Sequence, residues 1–250
     1  MKIQQIALQM YTVRQHTAND MLGTLRALAQ QGYRAVELAG YGNATLKEVK
    51  ATLDELGIRA IAGHVSLASM TNQTQQVLDD LKTLGCDYAV VPSVSEDFRR
   101  TADDVRRLGE TLNHLSEQSK TVGLQFAYHN HAFEFAPLDG STMYDILATS
   151  TDPALVGLEV DVFWVQHGGY DPVAVIQQYT GRVPLIHIKD KPGSGDRPDA
   201  PVGEGVLPWN EILAAADAAG AQWYIVEQDH PADPMNDVQL SLQNLQRMAQ

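Results

Sequence analysis

The sequence predicts an α/β fold of the closed (β/α)8 TIM-barrel class, with residues 1–250 forming one domain, and three observations carry that prediction. Eight short apolar runs rich in β-branched residues alternate with longer amphipathic stretches. A chain of 250 residues is the length eight strand-helix units need, because parallel strands require long crossovers. Several runs also end in His, Asp, Glu or Lys, which is where a barrel of this class carries its chemistry. An open doubly wound sheet would give the same alternation. However, no run is followed by a G-x-G-x-x-G or G-x-x-x-x-G-K-[ST] loop.

In order, the strand-like runs cover 3–10, 35–38, 60–63, 88–92, 123–128, 155–160, 183–188 and 223–226. Helix-like stretches between them cover 21–31, 45–56, 73–84, 102–122, 208–219 and 238–248. Gly32, Gly57, Gly85, Gly123 and Gly220 stand where helices would end. The segment 191–205 carries four glycines and three prolines, too irregular for a helix, and is expected to form a cover over the barrel mouth.

Composition narrows the function classes. With 18 Lys and Arg against 31 Asp and Glu, the net charge of -13 repels phosphate backbones and anionic membrane surfaces, so neither nucleic acid nor membrane is an expected partner. No apolar run approaches the roughly 20 residues that cross a bilayer, and the first residues lack a secretory apolar segment. A cytoplasmic protein is the expectation. The single cysteine, Cys86, rules out an intrachain disulfide and a multi-thiolate zinc site, and fits a small buried residue.

Side chains on a strand alternate between lumen and helix layer, so parity tests whether the polar run-ends share a face. On the fifth run His129 and His131 share a face with Ala127, on the sixth Glu159 pairs with Asp161, and on the seventh His187 pairs with Lys189. Carrying such groups inward costs burial free energy, so their convergence points to a site. His129, Asp161, His187 and Glu227 then supply one candidate ligand from each of strands five to eight. Two imidazoles and two carboxylates suit one divalent ion: Mn, Co, Zn or Mg. Glu37 and His64 also face the lumen and are candidates for binding substrate hydroxyls, or for a structural role. Trp164 is a candidate pocket wall for a sugar face, or part of the core. Lys189 reads equally as a solvated strand-end lysine and as an electrophile or base beside a substrate oxygen. His16, His114, His167 and His230 fall in loop or helix contexts and read as surface or capping residues. Asp190 and Asp229 lie off the lumen parity and read as groups that orient their neighbours.

Taken together, several segments resemble the sugar phosphate isomerase/epimerase family, with its xylose-isomerase-like barrel. They are Leu8-Gln9-Met10-Tyr11-Thr12-Val13-Arg14, Val36-Glu37-Leu38, Tyr128-His129-Asn130-His131 with Phe133-Glu134-Phe135, Glu159-Val160-Asp161, His187-Ile188-Lys189-Asp190, Gly203-Glu204-Gly205 and Val226-Glu227. The resemblance covers nearly the whole chain. It implies a metal-assisted proton transfer beside a carbonyl, with Asp161, His187 and Glu227 matching the family's ligands. His129 stands where many relatives have Glu, in a Tyr-His-Asn-His version shared with the inosose dehydratase-like branch. Neutral imidazole in place of a carboxylate favours Mn, Co or Zn over Mg. It also removes one of the two glutamates that relatives use as a matched acid/base pair. Glu227 is left as the base, with Glu159, His131, His64 or Lys189 as the other proton handler. Glu134 is an alternative fourth ligand.

The resemblance therefore implies an isomerase or epimerase of a monosaccharide, keto-sugar or sugar phosphate. Its close alternative is a lyase or dehydratase of the inosose dehydratase type. More distant classes are an abasic-site endonuclease, disfavoured by the acidic charge, and a non-catalytic sugar-binding barrel. The expected partner is a small carbohydrate, and because relatives commonly pair, a homodimer is also expected.

Overall fold

The computed structural model describes residues 1–193 and 198–249. Eight parallel strands close into a barrel: β1 (Ile6–Gln9), β2 (Ala35–Leu38), β3 (Arg59–His64), β4 (Tyr88–Val91), β5 (Gln125–His129), β8 (Val156–Asp161), β9 (Leu185–Ile188) and β10 (Trp223–Val226). Between β5 and β8 a short antiparallel hairpin, β6 (Pro137–Leu138) and β7 (Ser141–Thr142), stands outside the barrel. Each barrel strand is four to six residues long. That is long enough for one apolar layer with one polar layer above it.

The helix layer packs on the outward strand faces through a continuous apolar cluster that includes Leu8, Val36, Phe126, Leu158, Ile186 and Val226. Its burial is the main driving force for closure, at roughly 25 cal/mol per Å² of apolar surface. A second, smaller cluster of Ala7, Ala35, Ala62, Val90, Ala127, Leu185 and Ile225 fills the lumen. Alanine at four of these positions keeps the plug thin. Two residues further along the same strand faces stand Gln9, Glu37, His64, His129, His187 and Glu227, and β8 adds Glu159 and Asp161. The polar layer thus sits directly on the apolar one.

The predicted strand positions hold to within a few residues, with the first run shortened to β1 because residues 3–5 turn into a 3-10 helix. The register shifts between Val36 and Glu37 where β2 pairs with β3, and both Ile61 and Ala62 join the lumen cluster. This irregularity brings His64 to the lumen face. The first helix begins at Arg14, ahead of the predicted 21–31, and Asp20 breaks its path with φ -153° and ψ 84°. The Asp20 carboxylate accepts the Gly23 N–H at 2.8 Å, restarting the helix where the sequence pattern begins. Gly32, Gly57, Gly85 and Gly220 end helices in left-handed conformation, while Gly123 follows a helix capped by Val122. Short helices at Leu67–Asn72, Met143–Ser150, Val162–His167 and Pro172–Gln178 were not expected. No helix among the described residues is long and apolar enough to cross a membrane.

In the expected cover, 191–205, residues 194–197 lie outside the described residues. The part that follows is tied down by Asp190, which is wholly buried and accepts the N–H groups of Gly203, Gly205 and Leu207 at 2.9, 3.0 and 3.2 Å. The Trp209 indole and the Lys191 N–H, at 2.7 and 2.8 Å, bring the donors to five. A methyl group at Gly205 would stand 2.2 Å from the Asp190 carboxylate and 2.3 Å from the Lys191 carbonyl. Gly205→Ala is therefore expected to cost on the order of 2–3 kcal/mol and lower the melting midpoint by roughly 5 °C or more, read by calorimetry.

Candidate active site

The register explains why four ligand-type side chains meet. His129 pairs with Glu159, Asp161 with His187, and Val226 with Ile188, so the tips of β5, β8, β9 and β10 lie at one level. One donor atom from each of His129, Asp161, His187 and Glu227 falls within 4.8 Å of the others, and all four residues are buried. Donors held about 2.0–2.2 Å from an ion stand roughly 3–4 Å apart. A small contraction would close this set on a cation.

Asp161 has two separate tasks. One oxygen accepts the Trp164 N–H at 2.9 Å and caps the helix Val162–His167, while Oδ2 is buried without a hydrogen-bond partner. Asn130 fixes its backbone, accepting the Asp161 N–H at 3.1 Å. A buried carboxylate oxygen without a hydrogen bond is costly, so the chemistry of this atom suits a cation ligand. Burial, reinforced by Glu227, pushes the Asp161 carboxyl up to about 7.

His187 is held between carboxylates. Its Nδ1–H donates to Glu227 at 2.9 Å and its Nε2–H to Glu37 at 2.7 Å, with Glu159 at 3.2 Å. Burial disfavours its charge, yet Glu159, Glu227 and Glu37 hold the imidazole well above its usual range. His129 is the reverse case, since burial and the neighbouring His187 hold it well below. Burial opposes the charge on Glu227, but Lys189 and His187 keep its carboxyl well below the ordinary range.

A second group, His64, His129, Glu159 and His187, also brings its donor atoms within 4.8 Å and shares two members with the first. In this group Glu159 Oε2 already has three imidazoles around it, His64 at 2.8 Å, His129 at 3.0 Å and His187 at 3.2 Å. His187 and His64 hold Glu159 ionised against the cost of its burial. Oε2 is therefore satisfied by imidazoles, while Oε1, like Asp161 Oδ2, is buried without a hydrogen-bond partner.

Above the cluster lies a cavity of about 470 Å³, lined by His64, His129, His131, Trp164, Glu227 and residues of the rim. The structure thus places His64, His131 and Trp164 on its wall. His131 Nδ1 and Trp164 Nε1 are buried without protein partners, and burial lowers the His131 imidazole to about 4, so it is neutral at neutral pH. Glu37 and Glu159 are instead beneath the cavity, where Glu37 accepts from Gln9 at 2.8 Å as well as from His187. Of the two readings of Glu37, hydroxyl contact or structural role, its contacts with Gln9 and His187 accord with the second. Glu159 is wholly buried among imidazoles.

Lys189 is wholly buried, with Asp229 at 2.5 Å, Glu227 at 3.4 Å and Asp161 at 3.5 Å, and its ammonium stands 4.9 Å from the Trp164 ring centre. Burial works against the charge, but these carboxylates raise its pKa above the usual value, which favours the ammonium over a neutral base. Glu134, read as an alternative fourth ligand, is buried. Its oxygens accept the Tyr128 hydroxyl and the His131 N–H, both at 2.8 Å, so it braces the His131 backbone. His230 and Tyr11, neither singled out as binding residues in the sequence, stand on the cavity rim with Asp229. The position of His230 three residues after Glu227, in the loop leaving β10, was the available signal.

Comparison with known proteins agrees with this architecture. Residues 25–248 match the family model described as xylose isomerase-like TIM barrel. Among curated proteins, an inosose dehydratase of Geobacillus kaustophilus is 26% identical over 199 residues, 70% of this chain. The chain spans only 63% of that relative's length. A solved structure described as a sugar phosphate isomerase/epimerase from Parabacteroides distasonis is 26% identical, with a TM-score of 0.84 and 97% of each chain covered. The IolI protein, solved with a zinc atom, shares the fold at 16% identity and a TM-score of 0.77, with 98% of each chain covered.

If the first group is the ligand set, Zn²⁺ or Mn²⁺ at about 100 times its dissociation constant stabilises chelator-treated protein by about 2.7 kcal/mol, raising the melting midpoint by roughly 5–10 °C. Asp161→Asn should remove that shift, read by scanning fluorimetry. Because His187 must lose a proton to become a ligand, loading should release protons and apparent affinity should weaken as pH falls, read by calorimetric titration in two buffers of different ionisation heat.

Proposed function

The chain belongs to the xylose isomerase-like TIM barrel family, and from that premise we propose that it is a divalent-metal-dependent isomerase or epimerase of a monosaccharide or keto-sugar. The reaction is a proton transfer on the carbon beside a carbonyl. The observation that carries this reading is the convergence of His129, Asp161, His187 and Glu227 at the floor of a sugar-sized cavity. A divalent ion held there supplies Lewis-acid polarisation of adjacent substrate oxygens, which acidifies the neighbouring carbon. Two imidazoles among the ligands favour Mn, Co or Zn over Mg.

The remaining chemistry belongs to the chain. Glu227 borders the cavity and stays ionised, so it can take the proton. His131 borders the same cavity as a neutral imidazole with a free Nδ1, able to carry a proton to or from the substrate. Lys189 remains an ammonium; it holds Asp161, Glu227 and Asp229 in place and adds fixed positive charge near the developing oxyanion. Trp164 offers an aromatic wall to the C–H face of a sugar ring, and His64 a polar contact beside it.

One observation supports a second reading. Glu227 and His131 are unlike groups, whereas an epimerase working from both faces of a carbon is best served by a matched pair. A carboxylate that takes the α-proton, with an imidazole that relays a proton to the departing β-hydroxyl, instead yields an enone and water. That is the chemistry of a dehydratase, the description carried by the Geobacillus relative.

Both readings predict substrate-dependent uptake of solvent deuterium beside the carbonyl, followed by NMR across a panel of ketoses and keto-cyclitols with Mn²⁺, Co²⁺ or Zn²⁺ present. An absorbing enone product marks the dehydratase, and its absence the isomerase or epimerase. Glu227→Gln should lower the exchange rate by about 10³-fold. Failure of any panel member to exchange in the metal-loaded wild type counts against both.

A further inference from the structure

The two candidate ligand sets share His187, and they call on opposite edges of its ring. Glu227 lies 2.9 Å from Nδ1, whereas Glu159 lies 3.2 Å from Nε2. An imidazole that binds an ion through one nitrogen keeps its proton on the other, so whatever fixes that proton selects between the sets. At His187 the deciding contact is with Glu37. Glu37 Oε2 is 2.7 Å from Nε2, the shortest approach of any carboxylate to this ring, and both side chains are wholly buried.

Glu37 is itself held from behind. Gln9 stands opposite it in the pairing of β1 with β2, and the Gln9 amide donates to the same Oε2 at 2.8 Å. At its other end the Gln9 side chain accepts the Tyr11 N–H at 3.0 Å. A backbone N–H can only donate, so this contact fixes the Gln9 oxygen toward Tyr11 and turns its NH2 group to Glu37. Glu37 Oε2 is thereby kept as an acceptor between two donors, Gln9 and His187 Nε2–H. His64 Nε2 is 3.3 Å from the same oxygen but closer to Glu159, at 2.8 Å. His129 is oriented in a parallel way, since its Nδ1 lies 3.0 Å from Glu159 Oε2 and its Nε2 edge is left over.

We propose that Glu37 is a positioning residue: by accepting the Nε2–H of His187 it reserves Nδ1 for a divalent ion shared with Asp161 and Glu227, and so disfavours the overlapping set that contains Glu159. This rests on the divalent-metal reading above. Gln9 keeps Glu37 in that role, and the backbone of Tyr11, a residue on the cavity wall, keeps Gln9 in place. A carboxylate on the far edge of a ligand imidazole also makes the bound nitrogen a stronger donor, so the contact acts on affinity as well as on geometry.

Two measurements test this. Wild-type protein loaded with Zn²⁺ and carrying isotope-labelled histidine nitrogens is followed by NMR, with the His187 signals assigned against His187→Gln. The expected spectrum has Zn²⁺ on Nδ1 of His187 and a slowly exchanging proton on Nε2. Zn²⁺ affinity, from competition with a chromophoric chelator, should fall roughly 10–100-fold in Glu37→Gln, because an amide is a weaker acceptor and can turn its own N–H groups toward the ring. Ligation of His187 through Nε2, a His187 ring left unligated, or unchanged affinity in Glu37→Gln overturns the proposal and leaves the divalent-metal reading standing. Absence of Zn²⁺ binding to the wild type at millimolar concentration overturns both. Should Glu37→Gln fail to fold, the wild-type spectrum decides alone.

Discussion

The structure depends on one constraint: buried acidic groups at the barrel mouth outnumber the permanent cations that could balance them. Glu37, Glu159, Asp161 and Glu227 are buried, Asp229 joins them through Lys189, and Lys189 is the one ammonium in their midst. Uncompensated charges in a dry interior are expensive, so such a cluster persists only when protons, imidazolium or a bound cation complete it. The chain's own imidazoles do this for one oxygen each of Glu37 and Glu159. Asp161 keeps one oxygen without a hydrogen bond, and that oxygen faces the ammonium only at 3.5 Å. Glu37 Oε1 and Glu159 Oε1 are buried in the same way. What separates the two possible ligand sets is the three imidazoles around Glu159 Oε2, against one ammonium at 3.5 Å from Asp161 Oδ2.

Much of this was legible in the sequence because parallel barrels obey a strict parity. Ala7, Ala35, Ala127 and Ile225 mark the lumen face, and stepping two residues along each strand reaches Gln9, Glu37, His129 and Glu227. His187 and Asp161 follow from the same rule. What parity could not supply was depth. It puts Glu37 and Glu159 on the lumen face, but only packing puts them beneath the cavity while His131 and Trp164 stand on its wall. Nor could it reveal the shift between Val36 and Glu37, which changes the phase of β3 and sets the position of His64. The helix beginning after Asp161 was hidden because six residues carry too little periodicity to be distinguished from a continuing strand. The contacts of Glu134 were hidden for a related reason, since its partners Tyr128 and His131 are close in sequence but meet it only after the chain turns through a 3-10 helix.

The aspartates show how one residue type is used in three ways at this end of the fold. Asp161 shares its oxygens between a helix cap and the cluster, Asp229 balances Lys189, and Asp190 and Asp199 organise loops through backbone donors. Asp190 and Asp229 had been read as groups that orient their neighbours, and their contacts have that character. Together these four give the mouth an acidic rim that accords with the charge of -13 over the whole chain.

The most direct test of the account is where a bound ion sits. A crystal structure of the protein grown with Mn²⁺ or Zn²⁺, with anomalous data at the metal edge, should place one peak about 2.0–2.2 Å from donor atoms of Asp161, His187 and Glu227, with His129 completing the set. A peak among His64, His129 and Glu159, or no ordered peak between Asp161 and Glu227 at saturating metal, would contradict it.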